Sequence, residues 1–302
     1  MNTRFLQSFI LVVKLGSFRA AAERLHITQA AISNRIASLE EEIGARVFDR
    51  DARDLRLTPV GLRLIGYGER MLELQEYIMQ LGRTDQAILG NVRIGAIDSI
   101  VHTWLVGFIE HLQTSNPGIE VQLSSESTER LHKSLRDEEI DIALQTDQLV
   151  GDGIVSITCL PMALGWVGRP ELGAPAPDIR VLLSQPVVTM SRGSQPYLVL
   201  KDVYRRVGLP MGTVHCVNSI AAIARFVKCG FGNAFVPLPP MRDDVERGEL
   251  RVIPTDLPLP PQGLVVSYLE SRASDAIRLV AELACQEADR FMRSMPPPFT
   301  PT

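Results

Sequence analysis

The sequence predicts a fold of class α+α/β: an N-terminal winged helix-turn-helix, a long linker helix, and a C-terminal two-lobed α/β domain. Three observations carry this expectation. Three short amphipathic segments, the last two separated by a tight connection, fill residues 1–44 and lead into a small alternating hairpin. An apolar seam spaced by alternate threes and fours runs from Leu64 to Leu81. Beyond Gly90 the periodicity changes to strands alternating with helices. The expected boundaries are 1–58 for the head, 59–90 for the linker and 91–302 for the lobes, with lobe I over about 91–161 and 268–294 and lobe II over about 162–267.

In the head, Phe5, Phe9, Val12 and Val13 line one face of a first helix, which Gly16 ends. Ser17 is a good N-cap for the second, whose apolar face is Phe18, Ala21, Ala22 and Leu25. Thr28 caps the third, where Ile32, Ile36, Leu39 and Ile43 form a buried stripe. The opposite side of this third helix carries small or polar groups: Thr28, Gln29, Ala30, Ser33, Asn34 and Ala37. A helix that enters a major groove needs a buried stripe to fix its orientation and an outer face with no bulky side chain holding it off the base edges. Thr28, Gln29, Ala30, Ser33 and Asn34 are therefore candidate DNA-reading residues, with Arg35 on the flank. The alternative is a scaffold helix packed on another domain.

The stretch RVFDRDARDLRLTPVG reads as a hairpin, with Val47, Phe48, Leu55 and Leu57 on its packed side. Arg50, Arg53 and Arg56 lie along it as candidate contacts to phosphates or a minor groove, interleaved with Asp49, Asp51 and Asp54. Thr58-Pro59 is a cap followed by proline at the first helical position, so the linker helix starts there. Its seam, Leu64, Tyr67, Met71, Leu74, Ile78 and Leu81, asks for a partner, and a second copy of the chain is the simplest; packing on its own domain is the alternative.

Bulk properties agree with this division. A chain of 302 residues exceeds the usual size of one domain, and 45% hydrophobic with 22% charged residues is ordinary for a globular protein. A net charge of −4 argues against indiscriminate coating of nucleic acid or acidic membrane. Residues 1–63 nevertheless carry ten Lys or Arg, nine of them Arg, against seven Asp or Glu. Arginine is the side chain suited to phosphates and guanine edges. Cys159, Cys216, Cys229 and Cys285 show no C-x-x-C spacing and read as thiols of a reduced compartment; a redox pair of Cys216 with Cys229 is the alternative, without electropositive neighbours in sequence. FILVV at 9–13 is too short for a signal segment and is closed by Lys14, so a cytoplasmic protein with no membrane partner is expected.

The series GSFRAAAERLHITQAAISNRIASLEEEIGARVFDRDARDLRLTPVG resembles the N-terminal domain of LysR-type transcriptional regulators over about 45 residues. Gly16-Ser17-Phe18, Ala21-Ala22, Leu25, Gln29, Ser33, Ile36, Leu39-Glu40, Gly44, Phe48, Arg50 and Leu57-Thr58-Pro59 carry the likeness, while Ala30 and Asn34-Arg35 depart from the family's pattern. The resemblance implies a regulator that binds double-stranded promoter DNA as a homodimer, assembles into a tetramer of two dimers that bends the DNA, and responds to a small-molecule effector. RNA polymerase is a further candidate partner under the same resemblance. It also implies that the C-terminal lobes are similar to periplasmic solute-binding proteins.

Within those lobes, strands are expected at Val92–Ala96, at Ile119, Val121 and Leu123, and at IDIALQ, with helices over Trp104–Gln113 and from Thr128 to about Glu138 between them. A second set follows at VVTM, VHCV, a helix from about Ser219 to Cys229, and NAFVP; GLVVSYL and a last helix through Ile277, Val280, Ala284, Ala288 and Phe291 return to the first lobe. Crossings are expected near 160–168 and 264–269, and the tail SMPPPFTPT reads as disordered. Ligands in such sheets sit beyond the C-terminal ends of strands, against helix N-termini. Candidate effector-binding residues are therefore Asp98, Ser99, His102, Ser127, Thr128, Gln145, Thr146, Thr189, Arg192, Asn218 and Ser219, though Ser99, Thr128 and Ser219 also read as simple caps. Arg192 and the helix termini favour a carboxylate; Asp98, Glu126 and Asp147 nearby suggest an amine beside it.

An enzyme is the rival class. GFGNAF at 230–235 follows a helix and precedes a strand, the reverse of a dinucleotide-binding loop, so Gly230 and Gly232 read as helix end and turn. No G-x-S-x-G, H-E-x-x-H or P-loop is present, and His26, His102, His111, His132 and His215 lack metal spacing. No catalytic residue, metal or cofactor is expected. A transported-solute receptor is the second rival, opposed by the DNA-binding head.

Overall fold

Asn2 sets the start of α1 (Thr3–Leu15): its side chain accepts a hydrogen bond from the Arg4 N–H, and Gly16 closes the helix in the left-handed region. Ser17 caps α2 (Phe18–Leu25) and Thr28 caps α3 (Gln29–Ile43), accepting from the N–H groups of Ala20 and Ala31 respectively. Between them His26 adopts φ 54°, a left-handed backbone that lets the chain reverse within a three-residue turn. Leu6, Phe9, Val12, Ala21, Ile32 and Leu39 fill the centre of this trihelical core with no exposure. The small Ala21 and Ala22 permit the close crossing of α2 and α3.

The hairpin is short: β1 (Phe48–Asp49) pairs antiparallel with β2 (Arg56–Leu57), setting Phe48 opposite Leu57. The Phe48 ring lies 5.5 Å from Phe9 and 5.4 Å from Phe18, so the strand is anchored to the helical core by aromatic contact. The linker helix, α4 (Pro59–Gln80), starts at Thr58, whose hydroxyl accepts from the Gly61 N–H and donates to the Arg46 carbonyl. A Cβ on Gly61 would fall 2.2 Å from the Val47 carbonyl oxygen, so only glycine lets α4 seat here. Leu64, Ile65 and Leu72 turn toward the head core, while Tyr67, Met71, Leu74 and Ile78 are exposed. Leu64 thus belongs to the head side rather than to the exposed row, and Leu81 lies outside the described residues.

The structure is a computed structural model that describes residues 2–49, 55–80, 88–170 and 177–301, and it divides into two units, Met1–Gln86 and Ala87–Thr302.

The second unit begins with β3 (Gly90–Ala96). A short α5 (Asp98–Ile100) runs through a π turn (Val101–Leu105) into α6 (Val106–Ser115), followed by β4 (Ile119–Ser125), α7 (Thr128–Arg136) and β5 (Ile142–Gln145). As the strand–helix alternation implies, β3 pairs in parallel with both β4 and β5. Next, β6 (Ile154–Met162) breaks at Ala163 and continues as β7 (Leu164–Gly168), the first strand of lobe II. Lobe II then holds α8 (Ile179–Ser184), β8 (Val187–Thr189), α9 (Gln195–Val207), β9 (Val214–Cys216), α10 (Ile220–Lys228), β10 (Asn233–Pro237), α11 (Arg242–Glu246) and β11 (Arg251–Ile253). The chain returns to lobe I through β12 (Gln262–Leu269) and ends on α12 (Asp275–Ser294). Each lobe is built on five strands, in the order β4-β3-β5-β12-β6 for lobe I and β11-β7-β10-β8-β9 for lobe II.

Two expectations need correction. The second crossing precedes Gln262 instead of lying at 264–269, because β12 in its whole length pairs with β5 and β6; lobe I therefore takes back the chain from 262, not 268. The physical reason is the run Pro254 to Pro261, whose four prolines, at 254, 258, 260 and 261, lack ladder donors and carry the chain between sheets without joining either. The tail is also ordered: Met295 and Phe299 are buried in the core of this unit, and the Phe299 N–H donates to the Pro296 carbonyl. Gly230 and Gly232 do serve as helix end and turn, with φ values of 79° and 144°.

Candidate DNA interface and ligand cleft

On α3, the side chains of Ile32, Ile36 and Leu39 point into the head core, and Thr28, Gln29, Ala30, Ser33, Asn34 and Ala37 all lie exposed on the other side. The exposed row has no bulky member. Ser33 donates its hydroxyl to the Gln29 carbonyl at 3.1 Å and Thr28 is spent as the cap, which leaves Gln29 and Asn34 as the amides with both donor and acceptor available on this face. Arg35 is different: its Nη1 donates to the Ser8 hydroxyl at 3.3 Å, and the half-buried side chain ties α3 to α1. Arg56 stands exposed on β2, and Arg50 and Arg53 lie outside the described residues.

Glu40 went unnoticed as a positioning residue. Its Oε1 accepts from the Val47 N–H at 2.8 Å and from the Phe48 N–H at 3.4 Å, so one carboxylate on α3 fixes where the hairpin stands beside that helix. The signal available in sequence was its place seven residues ahead of the hairpin, which does not by itself reveal the bond.

In the second unit a cavity of about 370 Å3 opens between the lobes, within the range that holds small metabolites. From lobe I it is lined by Asp98, Ser99, Glu126, Ser127, Thr128, Glu129, Arg130 and Thr146; from lobe II by Ser191, Arg192, Ser194, Gln195 and Asn218. Of the residues expected to bind effector, Asp98, Ser99, Ser127, Thr128, Thr146, Arg192 and Asn218 are brought together on this wall. Ser127 also caps α7, and the Thr128 and Thr146 hydroxyls bond each other at 3.1 Å.

Four others are engaged away from the cavity. Gln145 is fully buried and its Nε2 donates to the Ser267 hydroxyl at 3.2 Å. Thr189 is buried and donates to the Phe235 carbonyl at 2.6 Å. Ser219 caps α10 through the Ala222 N–H, and His102 sits one helical turn beyond Asp98, with its Nε2 3.6 Å from that carboxylate. Gln145, Thr189 and Ser219 lie at the expected strand ends and helix start, but their side chains bond to the scaffold.

Asp98 has a use that sequence does not suggest. Its Oδ2 accepts from the Ile220 N–H at 2.6 Å, so a lobe I carboxylate occupies the N-terminus of α10 in lobe II. Gln195 answers from the other side, its Oε1 accepting from the Gly263 N–H at 3.0 Å. These two bonds latch one lobe to the other. Glu126 is paired with Arg130 at 3.2 Å, and Asp147 accepts from the Thr146 hydroxyl outside the cavity lining. Among the described residues, Arg192 and Glu129 remain as charged groups of the wall without an ion-pair partner.

Sequence comparison agrees with the geometry. Residues 3–62 match the family model described as "Bacterial regulatory helix-turn-helix protein, lysR family", and residues 86–289 match "LysR substrate binding domain". The HTH-type transcriptional regulator YofA of Bacillus velezensis is 24% identical over 242 residues, covering 80% of this chain and 83% of that protein. Among solved structures, a full-length OxyR variant from Pseudomonas aeruginosa superposes with a TM-score of 0.68 at 22% identity, covering 98% of this chain and 99% of the other. ArgP from Mycobacterium tuberculosis gives a TM-score of 0.66 at 19% identity over the full length of both chains. With both family models matched in order, and with the second alone spanning more than half of its length, this chain belongs to the LysR family of transcriptional regulators.

Proposed function

We propose that the chain reads promoter DNA through Gln29, Ala30, Ser33 and Asn34 of α3, with Thr28 at its start and the arginines of the hairpin on flanking phosphates, and that it answers to a small carboxylate-bearing, amino-acid-like metabolite. The observation that carries the DNA reading is the two-sidedness of α3: Ile32 and Leu39 have no exposure, and the opposite row is entirely exposed and short-chained. Arg56 supplies an exposed cation on β2 of the hairpin. Arg35, bonded to Ser8, is assigned to holding the helix rather than to reading bases.

The effector class rests on charge left over in the cleft. Arg192 favours a carboxylate, and the first-turn N–H groups of α7 add about 0.3–1 kcal/mol for an anion. Glu129 offers the complement for an amine. Asp98 is not assigned to the ligand, because the α10 terminus already holds it.

The exposed row Tyr67, Met71, Leu74 and Ile78 supports dimerisation through α4, which would present two α3 helices to two half-sites. A tetramer of two dimers, and contact with RNA polymerase, are extensions of the same reading that rest on the family alone. The test is selection of binding sites from random duplex DNA by the full chain and by Gln29→Ala/Ser33→Ala/Asn34→Ala. The variant is expected to lose the enriched sequence while keeping salt-dependent, sequence-independent affinity. Enrichment of the same sequence with the same affinity would remove α3 from the reading role.

A further inference from the structure

Outside the cleft, one cluster of side chains has no part in either activity. Cys159 of β6 meets Cys285 and Asp289 of α12, and one ligand atom from each, two Sγ and a carboxylate oxygen, all lie within 4.8 Å of one another. Cys285 and Asp289 are four residues apart and so share a face of α12, the face that packs on β6. The local backbone explains why Cys159 and Asp289 come together. β6 is an edge strand, and its pairing with β12 shifts register between Cys159 and Met162. At this irregularity the Leu160 N–H turns to Asp289 Oδ1, at 2.7 Å.

We propose that Cys159, Cys285 and Asp289 form a binding site for a thiophilic divalent cation of the zinc type. Two sulfurs exclude the hard cations Mg2+ and Ca2+, and a carboxylate beside them favours Zn2+ over Cu+, which prefers sulfur alone. With Zn–S near 2.3 Å and Zn–O near 2.0–2.2 Å, ligand atoms of a tetrahedral site stand about 3.5–4 Å apart, so small side-chain rotations complete the geometry. The outer contacts are in place: Leu160 N–H holds one oxygen of Asp289, and Arg293 lies 3.5 Å from the other, while the carboxylate keeps lone pairs for a metal. Two thiolates and a carboxylate around a divalent ion leave one negative charge, which Arg293 offsets.

Cys285 and Asp289 are only partly buried residues, while Cys159 is buried. The site ties α12 to β6 a few residues before the chain leaves lobe I at Ala163.

The experiment uses the full chain, reduced and stripped of metal, titrated with Cd2+ as a spectroscopic probe. One Cd2+ per chain is expected, with a thiolate-to-metal charge-transfer band in the ultraviolet. Cys159→Ser and Cys285→Ser should each abolish the tight site, Cys216→Ser/Cys229→Ser should retain it, and Asp289→Asn should weaken it by at least about 10–100-fold. In the unmodified chain, Zn2+ but not Mg2+ should protect Cys285 from alkylation, a readout that needs no variant to fold. Absence of the band, its survival without Cys159 and Cys285, or equal alkylation of Cys285 with and without Zn2+ would overturn the proposal.

Discussion

Asp98→Ala tests how the two lobes are held. In the native chain the carboxylate accepts from the Ile220 N–H at 2.6 Å, with its side chain 20% exposed and its charge at the positive end of α10. A hydrogen bond to a charged group contributes about 1.5–3 kcal/mol net, and the helix-terminus attraction is contained in that figure rather than added to it. Alanine removes all of it and leaves the Ile220 N–H without an acceptor. Asparagine keeps an acceptor and loses only the charge, costing about 0.5–1 kcal/mol. For a unit of this size, about 2–4 °C of melting temperature follows each kcal/mol, so Asp98→Ala should melt roughly 3–12 °C lower and Asp98→Asn about 1–4 °C lower. Hydrogen exchange localises the effect: the amides at the start of α10 should exchange faster in the alanine variant, with asparagine between it and the native chain. Identical melting and identical exchange at Ile220 in all three would refute the claim that this bond latches the lobes.

The remaining predictions concern the linker helix and pH. Leu74→Ala/Ile78→Ala removes two side chains that are 59% and 58% exposed in a single chain; at about 1 kcal/mol each in both protomers, the dimer dissociation constant should rise by roughly a thousandfold or more in sedimentation equilibrium, with melting of the head unchanged. His132 is held below its ordinary value of 6.5, chiefly because burial disfavours the charged ring. The unfolded chain therefore binds the proton first. Stability from this group is complete above 6.5 and declines as the pH falls through 6.5 toward the lower folded value, and His132→Gln should flatten the urea-midpoint profile across that window.

How much of this was legible in the sequence depended on the distance over which each feature is determined. The α3 stripe was legible, because Ile32, Ile36 and Leu39 repeat at the helical period and the caps Ser17 and Thr28 are local signals. Strict alternation at Ile119 and Val121 marked β4. β6 left no such mark: IVSITCLPM lies on an edge, is half-buried along most of its length, and lacks a clean alternation. The strand-end argument gathered much of the cleft wall, but it could not tell which side chains turn inward. Thr189 and Gln145 occupy the expected ends, yet their partners are Phe235 and Ser267, 46 and 122 residues away. Asp98 and Ile220 are likewise 122 residues apart, and Arg35 and Ser8 27 apart. Such pairings depend on the assembled fold and have no local signature.

The ordered tail carries a practical consequence. From the end of α12 in lobe I, Pro298, Thr300 and Pro301 run alongside Leu164, Asp256 and Pro258, the stretches where the polypeptide passes into and out of lobe II. Between them Phe299, 4% exposed, is buried in the core of the unit. A purification handle or reporter fused after residue 302 would therefore sit beside the two strands that join the lobes, and measurements on the lobe connection are better made with the fusion at the opposite terminus.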